Sequence, residues 1–413
     1  MAARNQPQLA LTIATAAIAC SAACGPKLDP ATARAQFSSK SLSRPGMVAP
    51  SDASEVRRVE PAKVDPPVPA ETEAAPAPAV AVKPREEPVA ATPAASPAPE
   101  SARADTPQPS PATTLEATPD RSSERVLRAA AAGQWAALRA HAIEASIRNP
   151  RLLRELAPAA LRDENRGVRF VACMAVAEAR IEGLSESITP LLADQSASVR
   201  AAAMLALARG GEPVNFSPLA AMLADNDPEV RANAYLVLGE LGNESAIPMI
   251  RESLGRGMKR VNPIRVRLVD LAAAEALVKL GDENEVEPIR AALFAPPEQA
   301  ELTVVACDAV RRLRDEVARP MLERLILAGG NGVRSPEIRL AAARALAVLG
   351  DGRISMAVAT QFLAHPDARI RAQVAALLGE LKSPEAAGML AGLLADQNPT
   401  VQIAAAGGIE AQP

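Results

Sequence analysis

Residues 227–242 read DPEVRANAYLVLGELG, and the repeating unit of the chain is clearest in these sixteen residues. Asp227 can cap a helix, Pro228 suits the first helical position, and Glu229 meets the positive end of the helix dipole. Apolar residues follow at helical spacing, and Gly242 offers a left-handed residue where the helix can end. The stretch therefore predicts one helix with both ends defined.

The opening of this helix recurs along the chain at a nearly fixed period. Val168-Arg169, Val199-Arg200 and Val230-Arg231 lie 31 residues apart, and Ile338-Arg339, Ile370-Arg371 and Val401-Gln402 follow at 32 and 31. The fourth residue after each opening is small in most copies: Ala172, Ala203, Ala234, Ala342 and Ala405, with Val374 as the exception. Repeated helices at such a period indicate a solenoid, in which each unit buries its apolar face against the next.

Each repeat also carries signals for its boundaries. Ser335 and Asn398 precede a proline as Asp227 does, so each is expected to cap a helix. Leu-Gly pairs predict helix ends at Gly281 and Gly350. A second helix is expected to carry proline early: Pro190, Pro218, Pro248, Pro288 and Pro320. No strand pattern competes with this interpretation.

The order of cap, Val-Arg pair, glycine stop and early proline resembles the HEAT repeat family, in the short form found in phycobiliprotein lyases. The resemblance implies an all-α fold, a HEAT-type α-solenoid of antiparallel helix pairs over residues 121–413. It also implies that the arginine of each Val-Arg pair holds the stack through bonds to neighbouring acids or carbonyls. The register loosens between Gly255 and Val333. The last unit, after Asn398, has only its first helix, so either it is a cap or packing continues onto something else.

The N-terminus predicts export. Arg4 precedes an apolar run that is too short to span a membrane, so residues 1–19 are interpreted as a signal peptide. The run ends in a sequence similar to a bacterial lipobox, which implies a lipid on Cys20, with Cys24 as the alternative frame. Residues 20–120 are rich in Pro, Ala, Glu, Thr and Ser and predict a disordered tether. The expected location is the outer membrane facing the periplasm; the alternative is secretion after ordinary signal cleavage.

The composition argues against several functions. A net charge of -3 gives no general attraction for nucleic acid, and aromatic residues form 2% of the chain, too few for stacking platforms. The fold-related deoxyhypusine hydroxylase family uses paired His-Glu motifs to hold iron, whereas this chain has only His141 and His365. Cys173 and Cys307 are expected to be inert core thiols. We therefore expect no catalytic residues, metal or cofactor.

One cluster of cations suggests a binding surface. Arg251, Arg256, Lys259, Arg260, Arg265 and Arg267 surround the turn at Gly255 and Gly257. Inserted turns of a solenoid lie on one face, often the binding face. Arg256, Lys259, Arg260, Arg265 and Arg267 are the candidate partner-binding residues. The alternative is internal neutralisation by Asp282, Glu283, Glu285 and Glu287.

The leading functional hypothesis is a non-catalytic protein-binding scaffold or adaptor tethered in the bacterial cell envelope. Its partner would be another protein or an envelope component, with the membrane contacted through the lipid anchor and no nucleic acid bound. Two alternatives stay open at this point: an enzyme, lyase or hydrolase, built on a HEAT-type fold, and a purely structural envelope spacer. A charged or apolar stripe along the concave helices would separate the scaffold from the spacer.

Overall fold

A computed structural model describes residues 119–328 and 333–412. Within these ranges the regular elements are all helical. The signal peptide, Cys20, Cys24 and all but the last residues of the expected tether lie outside the described residues. Among the described residues, no helix has both the length and the apolar character needed to cross a membrane.

Eighteen α-helices lie within the described ranges, several of them preceded by a short 3-10 turn. They are α1 (Pro119–Ala131), α2 (Ala136–Ala145), α3 (Pro150–Ala160), α4 (Arg166–Ala179), α5 (Ser185–Ile188), α6 (Ala197–Arg209), α7 (Pro218–Met222), α8 (Pro228–Leu241), α9 (Ile247–Ser253), α10 (Pro263–Lys279), α11 (Val286–Ala292), α12 (Ala300–Leu313), α13 (Arg319–Leu327), α14 (Pro336–Val348), α15 (Gly352–Phe362), α16 (Ala368–Glu380), α17 (Pro384–Leu393) and α18 (Pro399–Glu410).

Most boundaries follow the sequence signals. Pro190 does not lie early in a second helix as expected, because α5 ends at Ile188 and the proline falls in the 3-10 turn after it. The Asp227 side chain accepts from the amide of Glu229 at 2.8 Å, and Asn398 accepts from Thr400 at 2.9 Å. The prediction that Ser335 caps α14 is wrong, because its side chain makes no capping bond and Pro336 opens the helix without one. The glycine stops at Gly242, Gly281 and Gly350 are confirmed, since all three have positive φ.

The helices form an α-solenoid of two layers. The first helices are α2, α4, α6, α8, α10, α12, α14, α16 and α18, and each packs against the first helix of the next unit. The second helices, α3 and the odd-numbered helices after it, pack on the first helix of the following unit, and four of them also pack on the first helix of their own unit: α3, α11, α15 and α17. The alanines four residues after each opening residue are fully buried, as the close approach of neighbouring helices requires. Cys173 and Cys307 are also fully buried, as expected.

The last unit is completed by the other end of the stack. Helix α18 packs on α16 before it, and also on α1 and α2 at the beginning of the described chain. Helix α1 lies between α18 and α2, the place that a second helix takes in the other units. Leu127, Ala142, Ile403 and Ala406 share one buried cluster across this junction. The packing of the last helix therefore continues onto the first repeat, and the stack closes on itself.

Two kinds of contact hold this closure. Gly407 lies so close to Ala145 of α2 that a Cβ added to the glycine would be 2.8 Å from the Ala145 Cβ. The Glu410 carboxylate accepts from the Ser123 hydroxyl at 2.6 Å and from the Asn149 side-chain amide at 2.9 Å. Small residues thus allow close packing of the apolar faces. Hydrogen bonds from α1 and from the cap of α3 to Glu410 fix the end of α18.

Candidate interaction surface

The arginines of the Val-Arg pairs link successive units along one edge, where the first helices begin; we name it the N-terminal edge. Arg169 donates to both carboxylate oxygens of Asp194, at 2.8 and 3.0 Å, and to the carbonyl of Asp163 at 2.8 Å. The same two-pronged contact joins Arg139 to Asp163 and Arg371 to Asp396. Each arginine therefore holds the aspartate that opens the following unit.

Where an acid is missing, the arginine uses carbonyls. Arg200 donates to the carbonyl of Asp194 at 2.7 Å, and Arg231 to that of Asp225 at 2.8 Å. These contacts confirm the expected structural role of the Val-Arg arginines. Burial opposes ionisation of Asp194, but the bonds from Arg169 and from the Ser196 amide hold its pKa below the usual range. These arginines are committed to the stack and are poor candidates for contacting a partner.

A second set of charges lies in the C-terminal halves of the first helices and spans α6 to α16. It comprises Arg209, Glu240, Glu275, Lys279, Asp308, Arg311, Arg312, Arg344 and Glu380. Consecutive members are joined by contacts of 2.6 to 3.6 Å. We name it the charged network. Its members pair with one another, so the network does not by itself distinguish a scaffold from a spacer.

The charged network has a buried centre in which opposite charges are paired. Arg312, 5% exposed, donates to both carboxylate oxygens of Glu275 at 2.7 and 2.6 Å. Burial opposes ionisation of Glu275, but the charges of Arg312 and Lys279 hold its pKa well below the usual range. Burial likewise acts on Asp308, yet the charges of Arg311 and Arg312 lower its pKa to about 2. The network therefore serves the interior of the stack.

Sequence reasoning missed the charged network, although a signal was present. A charged residue falls ten residues after the apolar residue near the start of six first helices, and four of the six belong to the network: Arg148, Glu178, Arg209, Glu240, Arg312 and Glu380. Their signs alternate along the chain. A charge that recurs at one helical position in stacked units must meet its neighbours, because first helices pack side by side.

The basic turn, residues 254–262, also lies at the N-terminal edge. It connects α9 to α10, and its backbone is fixed to the preceding loop by Asn226. The Asn226 side chain accepts from the Lys259 amide at 2.7 Å and donates to the Lys259 carbonyl at 3.2 Å. Arg260 adopts a left-handed backbone, with φ of 59°. The turn is thus a held structure that presents the side chains of Lys259 and Arg260 to solvent.

The six cations of the cluster divide into two groups. Arg251 bonds to Asp282, Arg256 to Glu252, Arg265 to Glu301 at 2.9 Å, and Arg267 to Gln299. Four acids are expected from the sequence to neutralise the cluster, and among the described residues only Asp282 forms an ion pair with one of its cations. No described residue forms an ion pair with Lys259 or Arg260, and both are exposed. The candidate surface narrows to these two residues.

The histidines, cysteines and acidic side chains are the groups that could bind a metal or react. No group of three or more His, Cys, Asp or Glu side chains within the described ranges could hold a metal ion. Burial lowers the pKa of His141, and the His365 ring nitrogen accepts from the amide of Asp367 at 3.1 Å. Burial raises the pKa of the Cys173 and Cys307 thiols, which keeps them in the unreactive protonated form.

Comparison with known proteins supports the repeat interpretation. The family model described as HEAT repeats matches residues 185–261 and 332–410. The first portion contains α5 to α9, and the second contains α14 to α18. Helix α18, which closes the stack, therefore lies within the second match. A comparison with curated proteins found no match to the chain.

Proposed function

We propose that this chain is a non-catalytic protein-binding scaffold, tethered in the bacterial cell envelope by a lipid on Cys20. Portions of the stack match HEAT repeats, which generally mediate protein–protein interactions. Stacked helix pairs offer a long surface to a partner without requiring a catalytic pocket. The observation that carries the proposal is the held, exposed pair Lys259 and Arg260 at the N-terminal edge.

The chemistry of this pair favours an acidic protein partner. Three other cations of the cluster already pair with acids, so their charge is locally compensated: Arg251, Arg256 and Arg265. Lys259 and Arg260 have no such compensation, and the turn that carries them is fixed by Asn226 before any partner arrives. A preorganised cationic turn loses little conformational entropy when it binds acidic side chains.

The binding hypothesis is tested by replacing both Lys259 and Arg260 with Gln. Cross-linked envelopes should yield a specific partner with the wild-type chain, and the double variant should recover less of it and show a flatter salt dependence of binding. The matched control is Arg154→Gln with Arg162→Gln, which removes two exposed charges elsewhere on the stack. Equal recovery with both double variants would contradict the basic turn as the surface. Turnover of a small molecule without any partner would contradict the scaffold.

The anchoring hypothesis rests on the sequence around Cys20. Cys20→Ala should leave the protein without lipid and release it from the membrane fraction, as measured by metabolic labelling with a fatty acid and by fractionation. Continued membrane association with Cys24 intact would move the anchor to Cys24. Retention by a variant that lacks both cysteines would exclude a lipid anchor and favour secretion with another means of retention.

A further inference from the structure

A small pocket opens at the N-terminal edge between the starts of α4, α6 and α8. Its walls come from Arg166, Gly167, Phe170 and Val171 of α4, Ser196 and Ser198 at the start of α6, and Glu229 and Asn233 of α8. Phe170 and Val171 are buried and give it an apolar side. It has room for one polar group, not for a whole ligand molecule.

Two buried polar side chains line this pocket, and the hydroxyl of one of them, Ser198, is unsatisfied. Ser198 is 2% exposed, and its hydroxyl oxygen makes no hydrogen bond with a described residue. Asn233, 7% exposed, likewise makes no side-chain hydrogen bond within the described ranges. A buried polar group without a partner costs free energy, so natural proteins keep few of them. The buried Ser198 hydroxyl therefore indicates that something else supplies its hydrogen bond, and the Asn233 amide lies beside it in the same pocket.

The electrostatics of the pocket favour an anionic group. The side chain of Ser196, at the cap position of α6, makes no capping bond, so the first amides of this helix keep their partial positive charge. Glu229 is the one acid in the lining, and it is already paired with Arg166 at 3.0 Å. Arg200, at the same helix start, donates to carbonyls and forms no ion pair with a described residue, although its charge helps to lower the pKa of Asp194 nearby.

We infer that this pocket receives a carboxylate from an acidic segment of the partner protein. The carboxylate accepts from the Ser198 hydroxyl and the Asn233 amide in front of the α6 amides. The pocket also lies beside the basic turn, because Asn226, which fixes Lys259, is three residues before Glu229. Further acids of the same segment then reach Lys259 and Arg260. This inference rests on the proposed scaffold function and names the chemistry of its partner.

The test uses the full chain and a fluorescent hexaglutamate peptide as the probe, with binding followed by anisotropy. Ser198→Ala should weaken binding about tenfold, the loss expected for one hydrogen bond to a charged group, and leave the salt dependence unchanged because serine is neutral. Glu229→Gln should tighten binding, since it removes the opposing charge. Replacing Lys259 and Arg260 with Gln should weaken binding and flatten the salt dependence.

Melting temperatures separate a binding role from a structural one. Without peptide, Ser198→Ala should keep or raise the melting temperature, because its hydroxyl has no partner to lose. Ser355→Ala is the control, since the buried Ser355 hydroxyl contacts the carbonyls of Ala343 and Asp351 at 2.7 Å and its removal should lower the melting temperature.

Three results would overturn the inference: a melting temperature of Ser198→Ala that falls like that of the control, binding of hexaglutamate that Ser198→Ala leaves unchanged, or weaker binding by Glu229→Gln. Suppose that hexaglutamate fails to bind, although the variant with Gln at positions 259 and 260 recovers less of the envelope partner than the wild type. In that case the pocket assignment fails and the scaffold proposal stands. If both fail, the proposed function fails as well.

Discussion

At the scale of single residues, the closure depends on glycines whose side chain is a hydrogen atom. Gly407 faces Ala145 of α2, and Gly408 faces α16, where the Cβ that Gly379 lacks would lie 2.9 Å from the Gly408 Cα. Both contacts bring helix backbones together, so a methyl group could be admitted only if a helix moved. Elsewhere in the same region, Gly388 and Gly392 of α17 have open space around them.

Gly407→Ala should therefore destabilise the protein, although alanine favours helices. Overpacking costs about 1–3 kcal/mol, which exceeds the gain of about 1 kcal/mol in helix propensity. Gly392→Ala gains the same propensity without a clash and should stabilise the protein slightly. Urea unfolding of both variants measures the effects. A stabilised Gly407→Ala variant would show that α18 and α2 are not in close contact.

Arg169 offers a second test at this scale, because it joins three units at once. Arg169→Gln loses the two bonds to Asp194 and those to the carbonyls of Asp163 and Glu164, and should cost about 1–3 kcal/mol. Arg169→Lys should recover little, since lysine cannot make the two-pronged contact. The control is Arg369→Gln, an exposed arginine next to Asp367, which should leave stability close to that of the wild type. Equal effects at the two positions would argue against the linking role.

At the scale of helices, the two edges of the stack have different roles. The N-terminal edge carries the arginine–aspartate links, the basic turn and the pocket with unpartnered Ser198. The C-terminal halves carry the charged network, in which Glu275 and Arg312 are buried together. Removing one partner of a buried pair leaves the other charge unpaired in the interior. The network therefore stabilises the alignment of neighbouring first helices only while both signs are present.

The charged network predicts a dependence of stability on acid. The folded pKa values of Asp308, about 2, and of Glu275 lie below their unfolded values of about 4. Their contribution is present above the unfolded values and is lost as pH falls from about 4 toward the folded ones. Glu275→Gln should cost about 3–5 kcal/mol at pH 7 and should lose less stability than the wild type between pH 5 and 2. Urea titrations across this range measure both effects, and parallel pH profiles would contradict the assignment.

At the scale of the whole described unit, closure couples the two ends of the chain. Helix α1 completes the unit that α18 begins, so neither end of the stack is left as a free face. In an open solenoid each repeat contacts only its sequence neighbours. Here α2 has a neighbour on both sides, and one of them comes from the other end of the sequence.

In a chain that ends at Gln397, before α18, the backbone amides of α1 and α2 should therefore lose protection from hydrogen exchange, as should those of α16. The deletion exposes the apolar side of Leu127 and Ala142, which otherwise lies against Ile403 and Ala406. Hydrogen exchange followed by mass spectrometry would show faster exchange in both regions, with α8 as the internal control far from the junction. Faster exchange confined to α16 would mean that α18 is an ordinary terminal cap.

For the candidate site, the sequence indicates the cluster of cations but not which of them remain available to a partner. Cations around Gly255 and Gly257 are visible in the sequence, yet their partners come from Glu301 and Gln299, more than thirty residues away. Only packing decides that the side chains of Lys259 and Arg260 bond to no acid or amide of the described residues, whereas Arg267 reaches Gln299. The pocket was not foreseen at all, because Ser198 and Asn233 are ordinary helix residues until α4, α6 and α8 are placed side by side.

The class of fold, the repeated helix pairs and most helix boundaries can be predicted from the sequence. These follow from local chemistry, since an aspartate cap, a proline at the first position or a glycine stop acts within a few residues. Closure was decided only by the tertiary structure. It depends on small rotations between units that add up around the stack, and on whether Gly407 meets Ala145 and Glu410 meets Ser123 at the end of that path. The local sequence after Asn398 predicts a single helix in either case, whether that helix is a terminal cap or part of a unit that α1 completes.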